Sequence, residues 1–437
     1  MKKNLRWLKL DNAAKIYPAA RRKYWTNVFR ISVTFRDDID PAVLQSALDV
    51  TVKRFPSVAV RLRTGVFWYY LEEIPEAPRV MSEESCSLNR MTFRSIRKCA
   101  FRVLYHKKRM SVEMFHSVTD GNGGLVFAKT LAAEYAREKY GIDTPSGDGI
   151  LDLTEDAAES ELEDSFGRYD APVSASRRED NSYMMTGTHE PDGFLHVTTG
   201  IIDTASALEL SKKYGTTLTV FLAAVMMKCI YDIQNERVRN PKKREAVRIL
   251  IPVNLRKLFE SDTMRNFASY ITPGIDPKLG EYTFEEMVSV IHHSMALELN
   301  PKRMSAKFTA NVRSERQAIL RIMPLFIKNF AMKMVYNRVG ERKSSICMSN
   351  LGLVTLPEPL SDYVTRIDFV LGVQADTPCN CGICSYGGKL YINFIRSIRE
   401  PELERRFFTF LRRAGLHVLV ESNQRDSGRA DRNKNPF

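Results

Sequence analysis

The side chains whose types and spacing best suit chemistry lie in one stretch, MFHSVTDGNGGLVFAK, residues 114–129. It carries a histidine at 116, an aspartate four residues on, and glycines at 121, 123 and 124 ahead of an apolar run. In an extended strand Val112, Met114 and His116 share a face, so the imidazole leaves the strand end beside apolar neighbours. A partly desolvated, neutral imidazole accepts a proton readily near neutrality, because its unperturbed pKa is about 6.5. Asp120 lies too close along a turning chain to be assigned as the histidine's partner. It can equally fix the turn through backbone amides or pair with a distant arginine. The glycines admit positive φ and close approach of another backbone or a substrate. Taken alone, the pattern also fits a hairpin strand, a turn and a helix start with an incidental histidine.

Other reactive groups fit competing chemistries less well. Cys379, Cys381 and Cys384 form CNCGIC, but three thiols lack the fourth ligand of a usual zinc site and no second knuckle follows, so no metal is expected. The segment precedes SYGGKLYINF, which reads as a hairpin turning at Gly387-Gly388. His292 and His293 are adjacent in an expected helix, where they point about 100° apart and cannot share a ligand-facing side. Ser117 has no G-x-S-x-G context, which argues against a serine hydrolase.

The elements that must position the histidine can be read from periodicity. Residues 27–35 read as a strand, and Asp40-Pro41 opens a helix with an aspartate cap and proline in the first turn. Residues 58–62 and 66–71 read as two strands. Residues 99–105 and 110–115 form an expected hairpin, and a helix runs from Gly124 to about Gly141. Acidic residues 148–164 read as a surface connection. In the second half, strands are expected at 195–202, 247–253, 345–349, 366–372, 390–395 and 416–420. Helices are expected at 204–214, 219–231, 284–299, 319–339 and 401–411, and the fourth is both apolar and basic. Core packing and contact with a lipid-like substrate or membrane surface are both open readings of that helix. Both halves mix strands with helices, so the fold class is α/β (α+β), as two sandwiches. The expected division is a lobe at 1–175, a lobe at 176–420 and a polar, disordered tail at 421–437.

Composition narrows the class further. The 437 residues exceed one ordinary core, and 44% hydrophobic with 27% charged residues is a soluble globular balance. The net charge of +13 raises the local concentration of any polyanion. No zinc-finger, RNA-binding or helix-turn-helix pattern accompanies it, so nucleic acid is not an expected partner. No apolar run reaches the roughly 20 residues of a spanning helix, and MKKNLRWLKLDN lacks a signal-peptide core, so a cytoplasmic location is expected. Seven cysteines at irregular spacing suit a reducing compartment.

FHSVTDGNGG resembles the HxxxDG motif of the CoA-dependent acyltransferase superfamily, which includes chloramphenicol acetyltransferase, BAHD enzymes, peptide-synthetase condensation domains, wax ester synthases and bacterial alcohol acetyltransferases. The segments DPAVLQSALDVTVKRFPSVAVRL, VNLRKLF, RNFASYI and MSNLGLV fall in the family's order. The resemblance runs from about Tyr24 to Val420 and is closest to the alcohol acetyltransferases, with the mycobacterial polyketide-associated acyltransferases beside them.

The resemblance implies a two-lobed chloramphenicol acetyltransferase-like sandwich with an active-site tunnel between the lobes. His116 would be the general base, and Asp120 a structural residue paired with Arg256 from the second lobe. Gly121 and Gly124 would let the chain pass close to the tunnel. Asn266 would border it, or simply end a strand. Ser349 and Asn350 would offer donors to the oxyanion or thioester arm, or form a turn. No permanently bound cofactor is implied; acyl-CoA (acetyl-CoA) would be the cosubstrate and an alcohol or other hydroxyl the acceptor. A monomer with at most weak membrane-surface contact is expected. An acyl carrier protein as donor and an amine as acceptor stay open. Phe115 stands where condensation domains usually carry a first histidine, which disfavours peptide-bond formation. Retention of His116, Asp120 and Gly121 counts against a non-catalytic binding relative.

Overall fold

The structure, a computed structural model, describes residues 5–19, 26–83, 88–172, 181–191, 193–316, 322–335, 342–374 and 377–423. The strand Arg109–Phe115 lies near the middle of a five-stranded sheet, between Val28–Phe35 and Phe101–His106. Its turn is the two residues Lys107 and Lys108, with Lys107 at φ 48°. The sheet's outer face is unusual because Glu113, wholly buried, is held by Arg30 (Nε–Oε1 2.8 Å) and Arg102 (Nε–Oε2 2.6 Å). A buried carboxylate is tolerable only when paired and hydrogen-bonded in this way.

The inner face is covered by the helices Pro41–Arg54 and Gly121–Tyr140, which pack on each other. Asp40 caps the first through the amides of Ala42 and Val43, with proline in its first turn. Gly141, at φ 66°, ends the second in the left-handed conformation that glycine adopts without a Cβ penalty. Ala128, Ala132, Ala133 and Ala136 bury the second helix flat against the core.

The second lobe is built on an eight-stranded sheet. Its main path runs Ala268–Ile271, Val247–Asn254, Ile346–Leu353, Cys379–Tyr386, Lys389–Arg396, His196–Asp203 and Leu419–Ser422, with Gly274–Ile275 added beside Val247–Asn254. Ile346–Leu353 runs parallel to both its neighbours, while the Gly387-Gly388 turn, φ 56° and 75°, joins an antiparallel hairpin. The buried helix Leu218–Arg237 packs on the sheet and against Phe284–Glu298 and Glu402–Arg413. Among the described residues no single helix is long and apolar enough to cross a membrane.

Several elements depart from the sequence expectations. The expected helix at 319–339 is, within the described residues, the helix Leu325–Val335, and a separate helix Pro301–Arg316 precedes it. The acidic stretch is more than a solvated connection. Ile150 and Leu162 are buried, Glu161 pairs with Arg54 at 2.6 Å, and the Glu161 carbonyl accepts from the Met264 amide. The 175/176 division lies outside the described residues, as does the tail beyond residue 423. Late in the chain, Val364–Val370 leaves the second lobe and forms an edge strand of the first, antiparallel to Val28–Phe35. Its side chains Ile367 and Phe369 complete the first core.

Candidate active site at the seam of the lobes

His116 follows the end of Arg109–Phe115. Its amide donates to the Asn27 carbonyl at 2.9 Å, which carries the pairing one residue past the ladder. Tyr17 stacks on the imidazole with ring centroids 4.7 Å apart and planes 19° apart, and Phe29 meets it at 5.3 Å in an edge arrangement. Burial among these rings pulls the imidazole pKa below its ordinary 6.5, with hydrogen bonds and the Asp120 charge opposing more weakly. Desolvation penalises the charged form, so the neutral base is favoured.

The amide of Asn266 sets the tautomer. Its Nδ2 donates to Asp11 Oδ2 at 3.1 Å, which turns Oδ1 toward His116 Nδ1 at 3.2 Å. An amide oxygen only accepts, so the hydrogen-bond network assigns the proton to Nδ1 and leaves Nε2 with its lone pair. Asp11 is in turn fixed by the Ala14 amide at 2.7 Å and the Asn266 amide at 3.3 Å, with Arg265 Nη2 4.0 Å away. Complete burial pushes the Asp11 carboxyl up to about 7; Arg265 lowers it and Asp164 raises it further.

Asp120 is not the partner of the histidine. It caps Gly121–Tyr140, its Oδ1 accepting from the amides of Asn122 and Gly123 at 3.1 Å each. Its Oδ2 accepts from Arg256 Nη1 and the Phe267 amide, both at 2.8 Å. Arg256 also donates through Nε to the Thr263 carbonyl at 2.8 Å and through Nη2 to the Arg265 carbonyl. One carboxylate thus joins a helix start in the first lobe to the 263–267 loop of the second. Thr119 Oγ1 to the Met264 carbonyl (2.6 Å) and Asn254 Nδ2 to Asn122 Oδ1 (3.2 Å) reinforce that seam.

The glycines correct the expectation of positive φ, since Gly121, Gly123 and Gly124 are the first turn of the helix, which starts at 121 rather than 124. The side-chain cap of Asp120 outweighs their poor helix propensity. What they provide is room. A Cβ at Gly124 would lie 2.6 Å from the Phe29 ring, and one at Gly123 would lie 2.4 Å from the Met264 carbonyl oxygen. At Gly121 it would meet Leu351 at 3.1 Å.

Ser349 and Asn350 are separated by strand alternation. Asn350 spends its amide on Thr219 (Nδ2–Oγ1 3.1 Å) and its Oδ1 on the Gly352 amide (2.8 Å), so it secures a strand end and a helix start. Ser349 shares its strand face with Cys347, while Leu351, which abuts Gly121, lies where the ladder with Cys379–Tyr386 shifts register. Cys379 and Cys381 lie in the second core and Cys384 in the first, with burial raising all three thiol pKa values. Among the described residues no group of three or more potential metal-ligating side chains forms a cluster.

The sequence reading missed the segment 10–19, which supplies Asp11 and Tyr17. Asp11 lies 255 residues from Asn266 in the chain, and only its short Asp-to-Ala14 turn is local. A cavity of about 720 Å³ lies beside this segment, with Trp7, Lys9, Leu10, Lys15, Trp68 and Tyr70 among its walls. His116 does not line it. The converging hydrogen bonds on His116, rather than this cavity, mark the candidate site.

Two sandwiched lobes and a strand exchanged into the first sheet make a fold that this chain shares with solved acetyltransferases and condensation domains. No family model and no curated protein matches the sequence. Solved structures do share the architecture. The trichothecene 15-O-acetyltransferase TRI3 from Fusarium sporotrichioides is similar at a TM-score of 0.58 and 11% identity, over 93% of each chain. TRI101 from the same organism, solved with coenzyme A and T-2, gives 0.60 and 11% over 96% of this chain and all (100%) of its own. Polyketide synthase associated protein 5 from Mycobacterium tuberculosis gives 0.57 and 15% over 92% and 96%. The first condensation domain of the CDA synthetase gives 0.59 and 13% over 96% and 100%.

Proposed function

We propose that the protein is an acyl-CoA-dependent O-acyltransferase, alcohol O-acetyltransferase-like, with His116 as general base. The observation that carries the reading is the Asp11–Asn266–His116 chain, which leaves Nε2 unprotonated on a half-buried imidazole at the seam of the lobes. Nε2 takes the proton of the acceptor hydroxyl as its oxygen forms a bond to the thioester carbonyl carbon. Collapse of the tetrahedral intermediate breaks the C–S bond, and the proton on Nε2 passes to the departing thiolate. No covalent acyl-enzyme is needed. Positioned proton transfer contributes roughly 10²- to 10⁴-fold, and holding two substrates together supplies much of the rest. Ser349, at the end of the regular part of its strand, is the candidate donor to the oxyanion. A net charge of +13 favours approach of the CoA phosphates. Support from outside the chain is the fold shared with TRI101, solved with coenzyme A and T-2.

The test is release of free coenzyme A from acetyl-CoA and longer acyl-CoA donors, with a panel of alcohols and amines. His116→Ala should abolish release and leave the melting temperature almost unchanged; undiminished turnover would remove His116 from this role. A carrier-protein donor is the second reading, favoured by the shared fold of the CDA condensation domain. It gains ground only if an acyl carrier protein supports turnover where acyl-CoA does not. Phe115 in place of a second histidine weighs against amide condensation in either case.

A further inference from the structure

The helix Leu325–Val335 presents the wrong face to solvent for a soluble protein. Its inner side is pinned to the segment 66–69. The Leu325 amide donates to the Val66 carbonyl, Lys328 Nζ to the Phe67 carbonyl and Asn329 Nδ2 to the Tyr69 hydroxyl, each at 2.9 Å. Lys328, 3% exposed, sits 3.4 Å from the centre of the Trp68 ring. The outer side is apolar at i, i+4 and i+8. Phe326 is 73% exposed, Phe330 68% and Met334 48%, and Val66 beside the helix start is 73% exposed. Four large apolar side chains on one continuous surface exceed the scattered exposure usual on soluble proteins.

The rim of this face has its own chemistry. Trp7, Trp68, Tyr69 and Tyr70 line the neighbouring cavity together with Lys9 and Lys15, and the carboxylate in its wall, Glu72, is paired with Arg61 and Arg63. Indoles and phenols beside lysines, next to an apolar helix face, are the composition that settles at the headgroup level of a bilayer. Two copies of a chain carrying +13 repel one another, whereas an anionic leaflet attracts it, each basic residue near the surface contributing about fivefold in affinity. We infer that the Phe326/Phe330/Met334 face, with the aromatic and lysine rim beside it, docks the protein on an anionic lipid surface. The helix also packs against Ile16–Ala19, the segment whose Tyr17 stacks on His116. Docking therefore brings the catalytic seam close to the leaflet without any helix crossing it.

Cosedimentation of the full chain with vesicles of phosphatidylcholine alone, and with about 30% phosphatidylglycerol, tests this without any acyl substrate, so its outcome is separate from that of the acyltransferase reading. The wild type should sediment with anionic vesicles, remain in solution with neutral ones, and be released by high salt. Phe326→Asp/Phe330→Asp should lose binding by at least about tenfold while keeping its circular dichroism and its turnover of a soluble alcohol. Wild type that ignores anionic vesicles, or a variant that sediments equally well, overturns the inference. So does a concentration-dependent dimer, seen by light scattering, that the variant dissolves in the absence of vesicle binding.

Discussion

The tautomer of His116 is decided by an amide that is itself oriented by a buried carboxyl. Asn266→Ala should therefore lower kcat by about 10- to 10²-fold with little change in KM, because the ring loses its orientation and not its substrate contacts. In the wild type, the lowered imidazole pKa places the acid limb of kcat/KM below about 6.5, activity falling as pH drops through it. A limb above that value would contradict burial as the governing cause. Asp11 makes a different contribution. Its carboxyl is raised to about 7, so the folded chain holds a proton that the unfolded chain releases above about 4. That contribution to stability is complete at low pH and is lost as pH rises through about 7. Asp11→Asn should flatten this fall, read as urea midpoints of both proteins between pH 5 and 8; His116, with its lowered pKa, adds the opposite slope to each. The sequence carried His116, Asp120, Arg256 and Asn266 because their motifs are local. Asp11, Tyr17 and Phe29 were not legible as site residues, since each acquires its role only through a distant contact.

At the scale of elements, the start of Gly121–Tyr140 is where the lobes are fastened, and it is fastened through one carboxylate with four donors. Removing either Asp120 or Arg256 leaves the other charge buried, a cost of about 3–5 kcal/mol. Asp120→Ala and Arg256→Ala should each lower the urea midpoint and the activity, and the double variant should cost clearly less than their sum. Strict additivity would mean that the two groups act separately. Gly123→Ala isolates the fit of the seam from its charges. Its Cβ would press on the Met264 carbonyl, a backbone atom that cannot rotate away, so a loss of about 1–3 kcal/mol is expected with the ion pair intact. The caps at Asp40 and Gly141 and both hairpins were readable from local turn chemistry. The membership of Val364–Val370 in the first sheet was not, because an alternating apolar strand fits either lobe equally well.

That exchanged strand governs the behaviour of the whole molecule. Val364–Val370 is paired with Val28–Phe35 along its length, and Ile367 and Phe369 lie in the first core, while the chain on both sides of it belongs to the second sheet. The first lobe cannot keep its edge strand, nor the second its neighbouring connections, if the other unfolds. Asp120 and Arg256 add a buried tie at the seam. A single cooperative transition should result, despite a length that ordinarily permits two. The distribution of tryptophans makes this measurable. Trp7, in the strand Trp7–Lys9, and Trp68, beside its partner strand Tyr69–Glu73, belong to the first lobe, so in a Trp25→Phe variant tryptophan fluorescence reports on that lobe, whereas far-ultraviolet circular dichroism reports on both. In urea the two signals should share one midpoint within error. Tryptophan fluorescence changing at a lower urea concentration than the dichroism would show that the first lobe opens alone, and that the exchanged strand is too weakly held to couple the two.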